Sequence, residues 1–146
     1  MGSIVQYHPT TFAEYFEPLD ARYPGLSAKL SDDFKVYMDS HQGIVPKYFG
    51  RDAPYMQPAE AEQAKISHIH IKLPPGYFRQ DIAQYYRVCS WRHPREDAAL
   101  VYARGYLEEH SYLLLAFLWP DAHALARDKS LMRYLAQLAS EWRDQN

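Results

Sequence analysis

The stretch SYLLLAFLWPDAHALARD, from Ser111 to Asp128, organises the rest of the chain. It opens with an unbroken apolar run from Tyr112 to Trp119, which ends at Pro120. A short, aromatic-rich run that stops at a proline favours a strand buried on both faces over a buried helix. The polar turn that follows carries His123 and Arg127. A rigid central strand that ends in such a turn is suited to holding reactive side chains still.

Two further segments predict strands beside this central one. The segment KISHIHIKL, residues 65–73, alternates between apolar and polar side chains, which places His68, His70 and Lys72 on one face of a strand. The segment from Ala98 to Tyr106 predicts another strand, and a turn at Leu107 to His110 returns the chain antiparallel to it.

Apolar side chains at helical spacing predict two clear helices. The first carries Leu26, Leu30, Phe34, Tyr37 and Met38 on one face, with Gly43 as its C-terminal glycine. The second carries Leu131, Tyr134, Leu135, Leu138 and Trp142, with Ser130 as its N-cap. Weaker signals predict a short strand at Ile4 to Tyr7, a capping box formed by Thr11 and Glu14, and an ordered loop from Ile44 to Pro58.

The order of helices, strands and a closing helix predicts an α+β fold with a small antiparallel sheet. At 146 residues, the chain is expected to form a single domain, residues 1–146, with N-terminal helices and a C-terminal helix.

Composition restricts the classes of protein that the chain belongs to. A net charge of -2 argues against a protein that coats nucleic acid indiscriminately, although residues 72–95 carry five basic residues and one acidic residue. The single cysteine, Cys89, excludes an intramolecular disulfide and suits a reducing cytoplasm. No apolar run is long enough for a membrane helix, so no membrane association is expected.

The candidate reactive residues are histidines and arginines. His68 and His70 lie roughly 6.6 Å apart along one strand face. Three roles are open to them, as metal ligands with His123, as acid–base catalysts, or as phosphate contacts; either one alone is equally compatible with a purely structural role. Arg51 and Arg127 each precede an aspartate in a turn and offer a planar fork for phosphate. For Asp128, capping of the last helix is an equally good reading.

The segment from Tyr77 to His93 has the composition of a surface for single-stranded RNA. Its aromatic side chains, which include Tyr85 and Trp91, alternate with basic ones, which include Arg79 and Arg87. Bases stack on such rings while arginines hold phosphates. The alternative is a loop whose aromatic side chains simply pack. No glycine-rich phosphate loop, Cys-x-x-Cys pair or Gly-x-Ser-x-Gly elbow is present, so no cofactor is expected.

Four motifs, in order, give the chain a resemblance to a known family. They are Tyr48-Phe49-Gly50-Arg51-Asp52-Ala53, Ser67-His68-Ile69-His70-Ile71, Asp97-Ala98-Ala99-Leu100-Val101-Tyr102, and Leu114-Leu115-Ala116-Phe117-Leu118 followed by Pro120 and His123-Ala124-Leu125-Ala126-Arg127-Asp128. The chain resembles the YafO family, toxins of type II toxin–antitoxin modules. The resemblance implies a ribosome-dependent mRNA interferase with a RelE-like toxin fold, which acts on mRNA at the ribosome in the cytoplasm and is neutralised by a cognate antitoxin protein.

RNA cleavage without a metal uses the 2'-hydroxyl as nucleophile, and needs a base, an acid and a cation at the phosphate. We expect His68 or His70, together with His123, to transfer protons, and Arg51 and Arg127 to contact the phosphate. Further RNA contacts are expected from Lys72, Arg79, Tyr85, Arg87 and Trp91. Two alternatives remain open at this point: a metal-dependent hydrolase that uses His68, His70 and His123, and a non-enzymatic module that binds RNA or protein.

Overall fold

Five strands form one mixed sheet in the order β1-β5-β4-β3-β2 in the computed structural model, which describes residues 2–146. The strands are β1 (Ile4–Tyr7), β2 (Phe49–Pro54), β3 (Ile66–Ile71), β4 (Ala99–Arg104) and β5 (Ser111–Leu118). Strands β2 to β5 pair antiparallel in succession, and β1 adds to β5 in parallel. The predicted α+β class and the bounds of β1 are confirmed; the parallel pairing of β1 makes the sheet mixed.

The central strand is β5, as its apolar run predicts. All eight of its residues are buried, since β1 and β4 flank it within the sheet and helices cover both of its faces. This burial explains why the strand reads as a continuous apolar run rather than as an alternating one.

Helices pack on both faces of the sheet and divide the core into two clusters. One face is covered by α1 (Pro9–Thr11), a π-helical turn (Phe12–Phe16), α2 (Glu17–Arg22) and α3 (Leu26–Asp39). The other face is covered by α4 (Ala59–Gln63), α5 (Ala122–Ala126) and α6 (Lys129–Arg143). We call these the α3 face and the α6 face. Within residues 2–146, no helix has both the length and the apolarity needed to cross a membrane.

The first helical segment does not begin with the predicted capping box. His8 is the N-cap of α1, and its Nδ1 accepts a hydrogen bond from the backbone N–H of Thr10 at 3.2 Å. The hydroxyl of Thr11 is instead buried and has no hydrogen-bond partner in the described chain. The capping box is wrong because Pro9 starts the helix two residues before Thr11.

Helix α3 matches its predicted apolar face but ends differently. Its C-cap is Ser40, and the left-handed backbone that often follows a helix is taken by His41 (φ 54°) and Gln42 (φ 63°) rather than by Gly43. The left-handed backbone at Gln42 is explained in part by its side chain, because its Nε2 donates to the carboxylate of Asp52 at 2.9 Å.

The predicted loop from Ile44 to Pro58 is wrong, because it contains strand β2. Asp52 lies opposite Ile69, and Ala53 lies opposite His68 in the antiparallel pair with β3. Three prolines, a glycine and a charged pair hide the strand signal, and a register shift between Phe49 and Asp52 disrupts its alternation. Only pairing with β3 makes this segment extended.

Helix α6 is capped by Asp128, whose carboxylate accepts from the backbone N–H of Leu131 at 3.2 Å. Ser130 lies inside the helix, so its predicted role as N-cap is wrong. Asp128 also keeps α6 close to α5, since only Arg127 and Asp128 separate the two helices.

Candidate active site

A cavity of about 180 Å³ lies on the α6 face, between the sheet and α5. Its walls combine three histidines, one aspartate and one arginine with a tyrosine and three alanines. The lining residues are Tyr55, His68, His70, Asp97, Ala99, Ala122, His123, Ala126 and Arg127. We call it the histidine cavity. Four residues that were predicted from two separate motifs, His68 and His70 from one and His123 and Arg127 from the other, therefore meet at one place.

The pleat of β3 brings the first two histidines to this cavity. His68 lies opposite Val101 and His70 lies opposite Ala99 on β4, and both partners face α6. The ring centroids of His68 and His70 are 5.6 Å apart, and those of His70 and His123 are also 5.6 Å apart. The His70 ring is therefore a neighbour of both other imidazoles in the cavity.

His123 forms a dyad with Asp97. Its Nδ1 lies 2.7 Å from Oδ2 of Asp97, and its backbone N–H donates to the same oxygen at 2.9 Å. The backbone N–H of Ala122 donates to the carbonyl of Asp97 at 3.1 Å, so Asp97 also holds the start of α5. With a carboxylate at Nδ1, the neutral imidazole carries its proton there and leaves Nε2 free as a proton acceptor.

Asp97 is fully buried, whereas the His123 side chain is 36% exposed. Oδ1 of Asp97 is buried without a hydrogen-bond partner in the described chain. A buried carboxylate with one unsatisfied oxygen is costly to maintain, and its one cationic partner would be a protonated His123. The dyad is therefore arranged to stabilise an imidazolium at His123.

His70 is held in one tautomer by the backbone. The N–H of Cys89 donates to Nδ1 of His70 at 3.0 Å, so Nδ1 is an acceptor and the ring proton lies on Nε2. Burial, together with the charges of His68 and His123, lowers the pKa of His70 to about 4. His70 is consequently a neutral hydrogen-bond donor at physiological pH, because a proton on Nδ1 would break the bond from Cys89.

His68 stacks on Tyr55, with ring centroids 4.0 Å apart and an interplanar angle of 11°. Burial and the neighbouring charge of His123 lower the pKa of His68 to about 4. Its Nδ1 is buried without a partner in the described chain. An anion in the cavity would favour protonation of His68, because an opposite charge raises the pKa of an imidazole.

The two predicted arginines take different positions. Arg127, at the end of α5, lines the cavity. Arg51, on β2, lies outside the lining but close enough for its charge to lower the pKa of both His68 and His70. Its Nε donates to the carbonyl of Tyr85 at 2.7 Å, and its guanidinium carbon lies 4.1 Å from the centroid of the Tyr85 ring. The fork of Arg51 is thus fixed over an aromatic face beside the cavity.

The segment from Tyr77 to His93 passes along β2 outside the histidine cavity. Arg79 is paired with Asp81 at 2.6 Å, and Nε of Arg87 donates to the carbonyl of Ile82 at 3.1 Å, so both arginines stabilise the segment itself. Tyr85 and Trp91 are 63% and 60% exposed. Lys72 lies 5.7 Å from the centroid of the Phe78 ring. The structure does not bring these five predicted RNA contacts, Lys72, Arg79, Tyr85, Arg87 and Trp91, into the cavity.

Sequence reasoning missed two residues of the site, Asp97 and Tyr55. Asp97 lies next to an apolar run, AALVYA, and an acidic residue at the start of a buried strand was an available signal. Nothing in the sequence near Tyr55 indicated that it would stack on His68.

No group of three His, Cys, Asp or Glu side chains within residues 2–146 is placed so that it could hold a metal ion.

Comparison with known proteins places this arrangement in a family. A model of the family described as "Toxin YafO, type II toxin-antitoxin system" matches residues 33–144. The chain is 32% identical over 117 residues to the mRNA interferase toxin YafO of Escherichia coli (strain K12), an alignment that covers 78% of this chain and 83% of that protein. No solved structure matches the chain. The matched region contains every residue of the histidine cavity, and the chain belongs to the YafO toxin family of type II toxin–antitoxin systems.

Proposed function

We propose that the protein is an endoribonuclease that cleaves mRNA and thereby inhibits translation and growth, with the histidine cavity as its active site. The observation that carries this proposal is the succession of His68, His70 and His123 in one cavity, with Asp97 behind His123. Family membership supports it, because the E. coli relative is named an mRNA interferase. A type II system also implies a protein antitoxin as partner.

His123 is the general base in this proposal. Its Nε2 takes the proton of the 2'-hydroxyl, the 2'-oxygen attacks phosphorus, and the resulting imidazolium is stabilised by Asp97 at 2.7 Å. The products are a 2',3'-cyclic phosphate and a 5'-hydroxyl, because the 2'-oxygen replaces the 5'-oxygen on phosphorus.

His70 is a neighbour of both His68 and His123 and contacts the phosphate. Its Nε2–H donates to a non-bridging oxygen, and the bond from Cys89 prevents it from competing for the proton. Arg127, at the cavity wall, balances the charge that builds up on the phosphate, and Arg51 adds a second cation beside it.

His68 is the general acid. Its ring is a neighbour of the His70 ring, as the ring of His123 is, so the acid and the base both lie next to the residue that contacts the phosphate. The phosphate supplies the negative charge that raises the pKa of His68 from about 4, so that His68 can protonate the leaving 5'-oxygen.

The message is presented by the ribosome in the cytoplasm. A chain with net charge -2 lacks the overall basic surface of proteins that capture free nucleic acid, so a ribosome that positions the mRNA supplies the missing affinity.

The test of this assignment uses RNA in which sulfur replaces the bridging 5'-oxygen, since a thiolate leaves without protonation. We expect His68→Ala to cleave ordinary mRNA poorly and the sulfur-containing RNA nearly as fast as the unchanged protein does. His123→Ala should be slow on both substrates. His110→Ala, in the turn between β4 and β5, is the matched control. The assignment would be overturned if His68→Ala and His123→Ala both cleaved the two substrates as fast as the unchanged protein does.

Two measurements separate this function from the alternatives. A metal-dependent hydrolase that uses His68, His70 and His123 would attack phosphorus with water and leave no cyclic phosphate, whereas 2'-hydroxyl attack leaves a 2',3'-cyclic phosphate on the cleaved mRNA. A non-enzymatic binding module would produce no new mRNA 5' ends when the protein is induced in cells, with or without active translation.

A further inference from the structure

A second, larger cavity of about 400 Å³ lies on the α3 face, at the opposite end of β3 and β4 from the histidines. Three cations line it: Lys65 just before β3, Arg104 at the end of β4 and Arg143 at the end of α6. Its other polar lining includes Ser67 and Tyr102. None of its nine lining residues is acidic. We call it the basic cavity.

Both arginines of the basic cavity are anchored through Nε. Arg104 donates to the carbonyl of Glu109 at 2.8 Å, and Arg143 donates to the carbonyl of Arg104 at 2.9 Å. The terminal nitrogens of each fork therefore remain to bind a ligand, and their orientation is already fixed. The single nearby ion pair is loose: the Glu109 carboxylate, 75% exposed, lies 3.9 Å from Arg104. Three positive charges thus face one opening with little internal neutralisation.

The hydroxyl of Tyr102 and the amide of Gln42 donate to Asp52, which lies behind the wall of the cavity. These two groups are consequently occupied, and the donors left for a ligand are the three cations. Such a set selects an oxyanion. Arg143 also lines a neighbouring cavity with Tyr106, whose side chain is 71% exposed and whose ring centroid lies 5.7 Å from the Arg143 guanidinium carbon.

We propose that the basic cavity binds a phosphodiester group of single-stranded RNA away from the point of cleavage. Anchored guanidinium forks match phosphate oxygens, and an exposed tyrosine beside an arginine offers a stacking face for the neighbouring base. An acidic peptide would satisfy the charges but has no use for this stacking face. The inference rests on the proposed function, since it assigns the same RNA a second contact on the far face of the sheet.

The experiment measures binding of a labelled single-stranded RNA oligonucleotide of mixed sequence to the full chain carrying His123→Ala, across a series of salt concentrations. Each phosphate contact on single-stranded RNA contributes about 0.7 to the slope of log K against log salt. Adding Arg104→Gln and Arg143→Gln together should reduce the slope by about 1.4, and adding Lys65→Gln alone should reduce it by about 0.7. Arg22→Gln, on α2, is the matched control and should leave the slope unchanged.

Lys65→Gln guards against a folding defect, because the Lys65 side chain makes no hydrogen bond or ion pair in the described chain, unlike the two anchored arginines. An unchanged slope in both variants would overturn the inference. The inference would also be overturned if these variants lost binding to polyglutamate but still bound RNA, because that result assigns the cavity to an acidic protein segment. Cleavage is measured separately, with the chain that retains His123. If that chain fails to cut RNA while the binding variants show the expected slope changes, the result contradicts the proposed function alone.

Discussion

Two carboxylates on opposite faces of the same sheet, the half-buried Asp52 and the fully buried Asp97, differ in their hydrogen bonding. Asp52, on the α3 face, accepts hydrogen bonds on both oxygens, at 2.7 Å from Tyr102 and at 2.7 and 2.9 Å from Tyr37 and Gln42. Asp97, on the α6 face, binds His123 through one oxygen and leaves the other without a partner. Both carboxylate oxygens of Asp52 therefore have hydrogen-bond partners, whereas one oxygen of Asp97 has none in the described chain.

This difference separates a structural carboxylate from one that serves chemistry. A fully bonded group has nothing left to gain from a ligand or a proton, and its network stabilises one fold. A carboxylate with a single imidazole partner gains when that imidazole becomes charged. Both aspartates occur in motifs of the family resemblance, so only their surroundings show which of them is the better candidate for a site.

The largest expected effect is on cleavage. Asp97→Asn removes the charge that stabilises a protonated His123, and we expect cleavage of ribosome-bound mRNA to fall roughly 10²- to 10⁴-fold. The pH dependence of the residual activity should also change, which a purely structural role of Asp97 would not produce. Mapping mRNA 5' ends over time gives the rate. Asp121→Asn, at the turn before α5, is the control; equal losses in the two variants would remove the distinction between the two aspartates.

The complementary change is Asp52→Ala, which should affect stability instead. It leaves the hydroxyls of Tyr37 and Tyr102 without their acceptor, and we expect a loss of about 3 kcal/mol in the free energy of unfolding. Urea denaturation measures this loss. Asp52→Asn keeps an acceptor oxygen and should cost less. If Asp52→Ala unfolds at the same urea concentration as the unchanged protein, the network on the α3 face contributes nothing.

Acid should destabilise the α6 face between about pH 6.5 and pH 4. The pKa of His70 is about 4 in the folded protein and about 6.5 when unfolded, so in this range the unfolded state binds more protons and stability is lost as pH falls. The loss reaches at most roughly 3 kcal/mol by pH 4 for a group shifted this far. His68 shifts in the same direction, and the two effects are not additive because the rings influence each other.

The variant His70→Asn isolates this effect. An asparagine oxygen is able to accept from the backbone of Cys89, as Nδ1 of His70 does, but it does not titrate. We expect a flatter fall in stability with acid, measured by urea denaturation at several pH values. The pKa of Asp52 is raised by burial and acts in the opposite sense, so the comparison is made against the unchanged protein rather than in absolute terms. An identical slope in both proteins would contradict the predicted state of His70.

The smallest expected effect concerns the cap of α6. Asp128→Ala removes the hydrogen bond to the backbone of Leu131 and should cost about 1 kcal/mol of stability. Ser130→Ala, inside the helix, is the control and should change stability little. Cleavage at saturating substrate should be retained in both variants, since Asp128 does not line the histidine cavity. A larger loss for Ser130→Ala than for Asp128→Ala would reverse this assignment of the cap.

The local pattern of apolar and polar residues was sufficient to predict strands β5 and β3. The run from Tyr112 to Trp119 predicted the central strand β5, and the alternation around His68 and His70 predicted which face of β3 they share. Strand β2 was missed because its glycine, its proline and its charged pair are unfavourable for a strand, and its extended shape comes from pairing with β3. Predictions of caps failed at Thr11 and Ser130, where His8 and Asp128 accept the bond instead, whereas the capping role considered for Asp128 is confirmed.

The sequence by itself determined the fold class, the central strand and the motifs that carry the family resemblance. It also nominated His68, His70, His123 and Arg127, because residue type and spacing are local properties. Only the tertiary structure decided that these four side chains share a cavity, and that Asp97 rather than Asp52 supports His123. Those facts depend on contacts between residues that are distant in the chain, such as the 2.7 Å between Asp97 and His123, and no local pattern encodes such a distance.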